Sequence, residues 1–253
     1  MRSPLNKRLF RELRGEFGKY LVIFILMTLT IGMVSGFLVA DGSMIQAYEE
    51  SFEKYSIENG HFRTEKKMNN AQIQDIEDLG IKLYENYYVE EALTNGSTMR
   101  IFKNRDEVNK VCLMKGKMPE KPGEIGIDRM YADNNDLSVG DEIESGGHTW
   151  KITGLVALSD YSALFSNNND SMFDSVKFGV SVVCPEEFDS YKADQLNYSY
   201  AWKYNTEPKN EKAEKDISED LMEDVAKEVT LEEFVPRYTN QAIIFTGDDM
   251  GGD

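Results

Sequence analysis

Between Tyr20 and Ala40 the chain carries 21 consecutive residues without a charge (YLVIFILMTLTIGMVSGFLVA). At about 1.5 Å per residue this helix reaches roughly 31 Å, the thickness of a hydrocarbon core. Before it, Leu5, Leu9, Phe10, Leu13 and Phe17 recur at helical spacing with Lys7, Arg8, Arg11 and Arg14 interleaved. That is the pattern of a basic amphipathic helix lying in lipid headgroups. After it, Met44, Ile45, Tyr48, Phe52 and Tyr55 keep a helical stripe, so the spacing predicts a stalk over residues 41–58, ending before Asn59-Gly60.

From there the period changes. Residues 61–64 read as a short strand, Asn69-Asn70 as the cap of a helix through Ile73, Ile76 and Leu79 that closes at Gly80, and residues 81–89 as one strand. Strands follow at 98–103, 111–114 and 124–127, a short helix at 128–134, and strands near 141–144 and 148–154 joined through Gly146-Gly147. Residues 177–184 and 198–204 read as strands around a short helix at 185–191. Ile217, Leu221, Val225 and Val229 give residues 211–229 an apolar helical face under an acidic outer side. The expected fold class is α+β: a transmembrane helix extending into a stalk, then a two-lobed domain over 59–240. In it a βαβ-type sheet lobe carries an inserted β-rich lobe at about 115–175.

Charge orients this picture. Residues 1–40 hold six Lys or Arg against two Glu, while the whole 253-residue chain has 28 basic and 45 acidic residues and a net charge of −17. The positive-inside rule then places residues 1–19 in the cytoplasm and Asp41 onward outside, with Lys7, Arg8, Arg11, Arg14, Lys19 and Tyr20 at the membrane interface. A cleaved signal peptide is the other reading of a basic flank and apolar run, but its apolar region spans about 7–15 residues before a small-x-small site, and Leu38-Val39-Ala40 puts a large residue at −3. Gly32, Ser35 and Gly36 form a GxxxG-type face on which another helix can pack closely, although glycine is common in membrane helices in any case. The acid surplus repels phosphate backbones and excludes nucleic acid as a partner.

Chemistry-bearing motifs are scarce. Two His at 61 and 148 and two Cys at 112 and 184 do not make a zinc site, and no Walker loop, H-E-x-x-H or G-x-S-x-G occurs. No catalytic residue, cofactor or metal is expected. Asp133-Asn134-Asn135-Asp136 and Asn167-Asn168-Asn169-Asp170 read as solvated turns rather than EF-hand loops. The cysteines read as small buried hydrophobes, with a disulfide as the alternative that an external compartment permits. Tyr161, Leu164, Phe165, Met172 and Phe173 either fill a groove between the lobes or form an exposed patch for an apolar ligand or partner.

The run Gly116-x-x-Pro119, Gly123-Glu124-Ile125-x-Ile127-Asp128, Leu137-x-Val139-Gly140-Asp141-x-Ile143 and Lys151-Ile152-Thr153-Gly154-Leu155-Val156, placed after a first transmembrane helix, resembles the FtsX-like ABC transporter permeases. Its external part is similar to their MacB-like periplasmic core domain. The motif residues are fold residues: turns feeding short strands. The resemblance implies a permease subunit in a bacterial cell membrane that is not itself an enzyme and pairs with a separate cytoplasmic ATPase. Its other implied partners are membrane lipid, a second permease copy or an extracytoplasmic protein, and its substrate is exported or its motion transmitted. It also implies further spans, so residues 241–253 read as a linker to a second helix. A single-pass sensor or adaptor whose external domain binds a peptide, lipid or protein is the alternative.

Overall fold

The computed structural model describes residues 15–248, with side chains described for 15–36 and 50–244. The chain divides into two units, Met1–Tyr48 and Glu49–Asp253. Helix α1, Phe17–Lys54, is 38 residues long. Its segment Phe17–Gly36 is 20 residues of mean hydropathy 2.0 with no buried residue, long and apolar enough to cross a membrane. Lys7, Arg8, Arg11 and Arg14, and the side chains of Met44, Ile45 and Tyr48, lie outside the described residues.

The second unit holds two sheets. The smaller contains β1 (Gly60–Thr64), β2 (Ile81–Glu85), β10 (Tyr198–Tyr204) and β11 (Leu231–Pro236) in the antiparallel order β11-β1-β10-β2. Along β10 the alternation puts Tyr200 and Trp202 on one face, where Phe62 stacks on Tyr200 at 5.6 Å and Trp202 on Phe234 at 4.8 Å. Helices α2 (Asn70–Glu77) and α5 (Glu211–Glu228) supply the buried Ile76, Leu221 and Val225 to the same core. Asn69 starts α2 with a reciprocal capping box to Gln72.

The larger sheet has the order β3-β4-β9-β6-β8-β5, from β3 (Tyr88–Ala92), β4 (Thr98–Lys103), β5 (Val111–Gly116), β6 (Glu124–Asp128), β8 (His148–Leu158) and β9 (Phe178–Val183), with β7 (Glu142–Ser145) paired to β8. Strand β9 pairs parallel with β4 and antiparallel with β6, and all six of its residues are buried, as a strand covered on both faces requires. Helix α3 (Arg129–Asn134) follows β6 with Asp128 as its cap, and α4 (Pro185–Phe188) follows β9. Gly146 and Gly147, both at positive φ (56° and 83°), make the two-residue hairpin between β7 and β8.

The architecture is thus α+β with an apolar N-terminal helix and a sheet-rich domain. The insertion is larger than the sequence pattern suggests: everything from β3 to β9 leaves the smaller sheet, so β3, β4 and β9 belong to the inserted sheet. The apolar run 81–89 is two strands in different sheets. The chain crosses between them at Asn86-Tyr87, where the Asn86 amide donates to the Ser199 carbonyl and the Tyr87 hydroxyl to that of Tyr200, at 2.9 and 2.7 Å. Residues 231–236 form a strand the pattern does not signal. Part of the expected linker is helical as α6, Gln241–Asp248, whose first amide donates to Asn168 Oδ1 at 2.9 Å.

Candidate functional site

The segment leaving α1 is stitched to strand β10 of the smaller sheet and to the β4–β5 loop of the larger. The Asn109 and Lys110 amides donate to the carbonyls of Ser56 and Tyr55 at 3.1 and 2.9 Å, and the Glu58 amide donates to Asn109 Oδ1 at 2.9 Å. On the other side the Asn59 amide donates to the Trp202 carbonyl at 2.8 Å, and Lys203 Nζ to the Ile57 carbonyl at 2.9 Å. Ser56 and Asn109 both adopt the left-handed conformation, at φ 50° and 48°. Two tight reversals therefore face each other where the helix ends.

Between them lies a buried ionic cluster. Glu58, 1% exposed, accepts from Asn109 Nδ2 at 2.5 Å and sits 2.6 Å from His61 Nδ1. Asn109 Nδ2 also lies 3.4 Å from Asp160 Oδ2. Arg105 forks onto Asp160 at 2.7 and 2.8 Å, donates to Asn86 Oδ1 at 2.8 Å and lies over the Phe102 ring. Arg105 comes from the loop between β4 and β5, Asp160 from the end of β8, and His61 from β1, so the cluster bridges the sheets.

Electrostatics pull its members apart. Burial opposes ionisation of Glu58, but the charge and hydrogen bond of His61, the Asn109 amide and Arg105 outweigh it, and the carboxyl is held below its ordinary value. Burial likewise opposes the His61 cation. That side chain keeps 24% of its surface exposed, and pairing with Glu58, reinforced by Glu233 and Asp160, raises its pKa. Burial lifts Asp160, with Arg105 opposing and Glu58 adding to the shift.

A cavity of about 70 Å³ adjoins the cluster, lined by His61 and Arg63 of β1, Glu233 of β11, and Tyr88 and Arg100 of the larger sheet. Arg100 is fully engaged, donating to Glu90, Tyr161 Oη and the Ser166 carbonyl at 2.6–2.8 Å. A wider groove of about 720 Å³ opens elsewhere between the sheets, walled by Leu83, Tyr84, Tyr87 and Tyr198 on one side and Val108, Phe188 and Tyr191 on the other.

The residues singled out from sequence fall in several places. Tyr161 and Phe165 line the small cavity; Leu164, 1% exposed, belongs to the main core. Phe173 packs edge-on against Phe165 at 5.8 Å, and Met172 is 80% exposed, so the five make no single patch. Gly32, Ser35, Gly36 and Tyr20 are exposed on α1, and Lys19 pairs with Glu16 at 2.9 Å. Cys112 and Cys184 are both free thiols. Among the described residues no group of three His, Cys, Asp or Glu side chains is placed to hold a metal ion. The cluster itself escapes sequence inspection because its members come from three separate segments.

No family model matches the chain, and no curated protein does. Solved structures do. The chain is similar to the periplasmic region of MacB from Actinobacillus actinomycetemcomitans, at 11% identity and a TM-score of 0.38 over 76% of this chain and 93% of that one. The extracellular domain of the noncanonic ABC-type transporter YknZ from Gram-positive bacteria gives 11% and 0.37 over 66% and 92%. A putative lipoprotein from Bacillus anthracis gives 12% and 0.34 over 70% and 96%.

Proposed function

We propose that this chain is the permease subunit of an FtsX-like ABC transporter, anchored by residues 20–40 with its amino terminus in the cytoplasm and the two-sheet domain outside. A separate ATPase supplies the energy, and the helix carries motion to the domain for substrate export or mechanotransmission. The observation that carries this reading is α1: one helix begins as an exposed apolar span and ends in a turn whose following segment is fixed by hydrogen bonds to strand β10 of the smaller sheet and to the β4–β5 loop of the larger. A passive anchor does not require its end to be tied to two sheets at once. Membrane lipid contacts the span and basic flank, and Gly32, Ser35 and Gly36 offer a packing face for another membrane helix or a second copy.

Two measurements test it. Affinity purification of the full chain from its native membranes is expected to bring down an ABC-type ATPase in stoichiometric amount. Labelling intact cells with a membrane-impermeant maleimide is expected to modify Cys112, which is part-exposed, while Cys184 is buried. Labelling only after lysis overturns the orientation, and purification without an ATPase overturns the transporter. The wider groove favours a second reading, a single-pass sensor or adaptor that binds an external peptide, lipid or protein; purification with such a ligand and no ATPase selects it.

A further inference from the structure

We propose that His61 is a proton-operated latch: protonated, it closes the charge balance of the buried cluster and fixes the segment leaving α1 to both sheets, and deprotonated, it releases that segment. The argument is a charge count. Glu58 and Asp160 bring two negative charges into the seam and Arg105 one positive charge, at 2.6–2.8 Å spacings. The other charges facing His61 are matched except Glu233, a part-exposed carboxylate at the rim that shares Arg63 with Glu232. Arg63 pairs with Glu232 and stands 3.7 Å from Glu233, while Arg100 pairs with Glu90 at 2.6 Å. Lys203 is bound to the Ile57 carbonyl and has Glu207 as its main acidic neighbour. Tyr88 and Tyr161 also face the cavity, and burial keeps both phenols neutral. Within the buried set of Glu58, Asp160 and Arg105 one negative charge is left over, and the imidazolium cancels it.

The connectivity then makes the proton state mechanical. Glu58 receives His61 on one carboxylate oxygen and Asn109 on the other, and its own amide donates to Asn109. Asn109 belongs to the loop that also carries Arg105. When His61 is neutral, the Glu58 carboxylate keeps only neutral donors and loses its counter-cation in a buried site, which weakens the Glu58–Asn109 joint and lets it open. The direction is set by the raised pKa of His61. The latch holds fully below the unfolded histidine value of about 6.5 and is lost as pH rises through the higher folded value.

The latch stands independently of any ATPase, and its test needs none. The chain has only two histidines, so His148→Gln leaves His61 as the only imidazole in the full chain in detergent. Its Cε1–H resonance is expected to titrate above the ordinary histidine range. Hydrogen exchange at residues 55–60 and 104–110, corrected for intrinsic rates, is expected to lose protection across that transition. Glu58→Gln removes the leftover charge and is expected to keep protection high at both ends of the pH range. His61→Gln is expected to hold it low throughout. Titration at or below the ordinary value, or a protection profile that His61→Gln leaves unchanged, overturns the proposal. Should His61→Gln fail to fold, the titration together with the Glu58→Gln profile decides.

Discussion

Replacing Asp160 by alanine tests how much the buried cluster contributes. The Arg105 and Asp160 side chains are 8% and 5% exposed, so the substitution leaves a nearly buried guanidinium without its carboxylate. Arg105 loses two charge-assisted hydrogen bonds, at 2.7 and 2.8 Å, and keeps only Asn86 Oδ1 and the Phe102 ring. Breaking one partner out of such a pair costs about 3–5 kcal/mol, most of it the uncompensated charge. For a domain of this size that corresponds to a fall in Tm of about 10 °C. The control is Asp189→Ala, which removes the Lys103–Asp189 pair at 3.0 Å, 44% and 64% exposed, and should cost under about 1 kcal/mol. Thermal unfolding of the full chain followed by tryptophan fluorescence suits the question, because Trp150 and Trp202 are fully buried, one in each sheet. Arg105→Met with Asp160→Leu is expected to recover most of the loss. An Asp160→Ala chain no less stable than Asp189→Ala refutes the reasoning.

Asp128 caps α3 through the Met130 and Tyr131 amides at 2.7 and 3.2 Å, yet burial lifts its pKa to about 6. Because the folded pKa lies above the unfolded one, stability falls as pH rises from about 4 through 6, by about 3 kcal/mol for a shift of two units. Asp128→Asn keeps the capping oxygen without the charge and should flatten that dependence in urea titrations at pH 4 and 7.5. Gly179→Ala places a methyl 2.6 Å from Cγ of the fully buried Tyr131, whose hydroxyl is held by Ser97 at 2.6 Å, and should cost about 1–3 kcal/mol of overpacking in the same titrations. Asn69→Ala deletes the capping box of α2 and should cost about 1 kcal/mol, read as faster amide exchange in the first turn of that helix.

Where side-chain alternation and local capping decide, the sequence is readable. Thr98–Lys103 and Tyr198–Tyr204 are strands over the residues their patterns indicate, and Asn69 caps α2 as its type and position suggest. What fails is anything decided by distant partners. Ile81 to Val89 is apolar enough to pass as one strand, and only the hydrogen bonds of Asn86 and Tyr87 to β10 reveal the crossing. Strand β11 carries Glu232 and Glu233 in its middle, where alternation is weak, and is held by pairing with β1. The N-terminus of α6 depends on Asn168, 73 positions away, a residue whose local context reads as a polar turn. The ionic cluster is the extreme case, since residues 58, 61, 105, 109 and 160 have no common spacing to recognise.

The two faces of the smaller sheet respond differently to load. Its helix-covered face joins Phe62, Tyr200, Trp202 and Phe234 to α2 and α5, and truncating such a buried aromatic costs about 3–5 kcal/mol. Its opposite face meets the larger sheet through His61, Arg63 and Glu233 around a cavity, and part-exposed ion pairs of this kind contribute at most about 1 kcal/mol. Under the proposed permease function, a displacement delivered through α1 would be absorbed at the seam and leave each sheet intact. Polar interfaces between lobes permit such movement by default, and the same seam carries the side chains whose charge depends on pH. If that division of labour holds, Trp202→Ala lowers global stability without changing the pH dependence of exchange at residues 104–110, whereas Glu58→Gln changes that pH dependence and spares global stability. Both variants shifting both readouts together would mean the sheets unfold as one unit, with no soft seam between them.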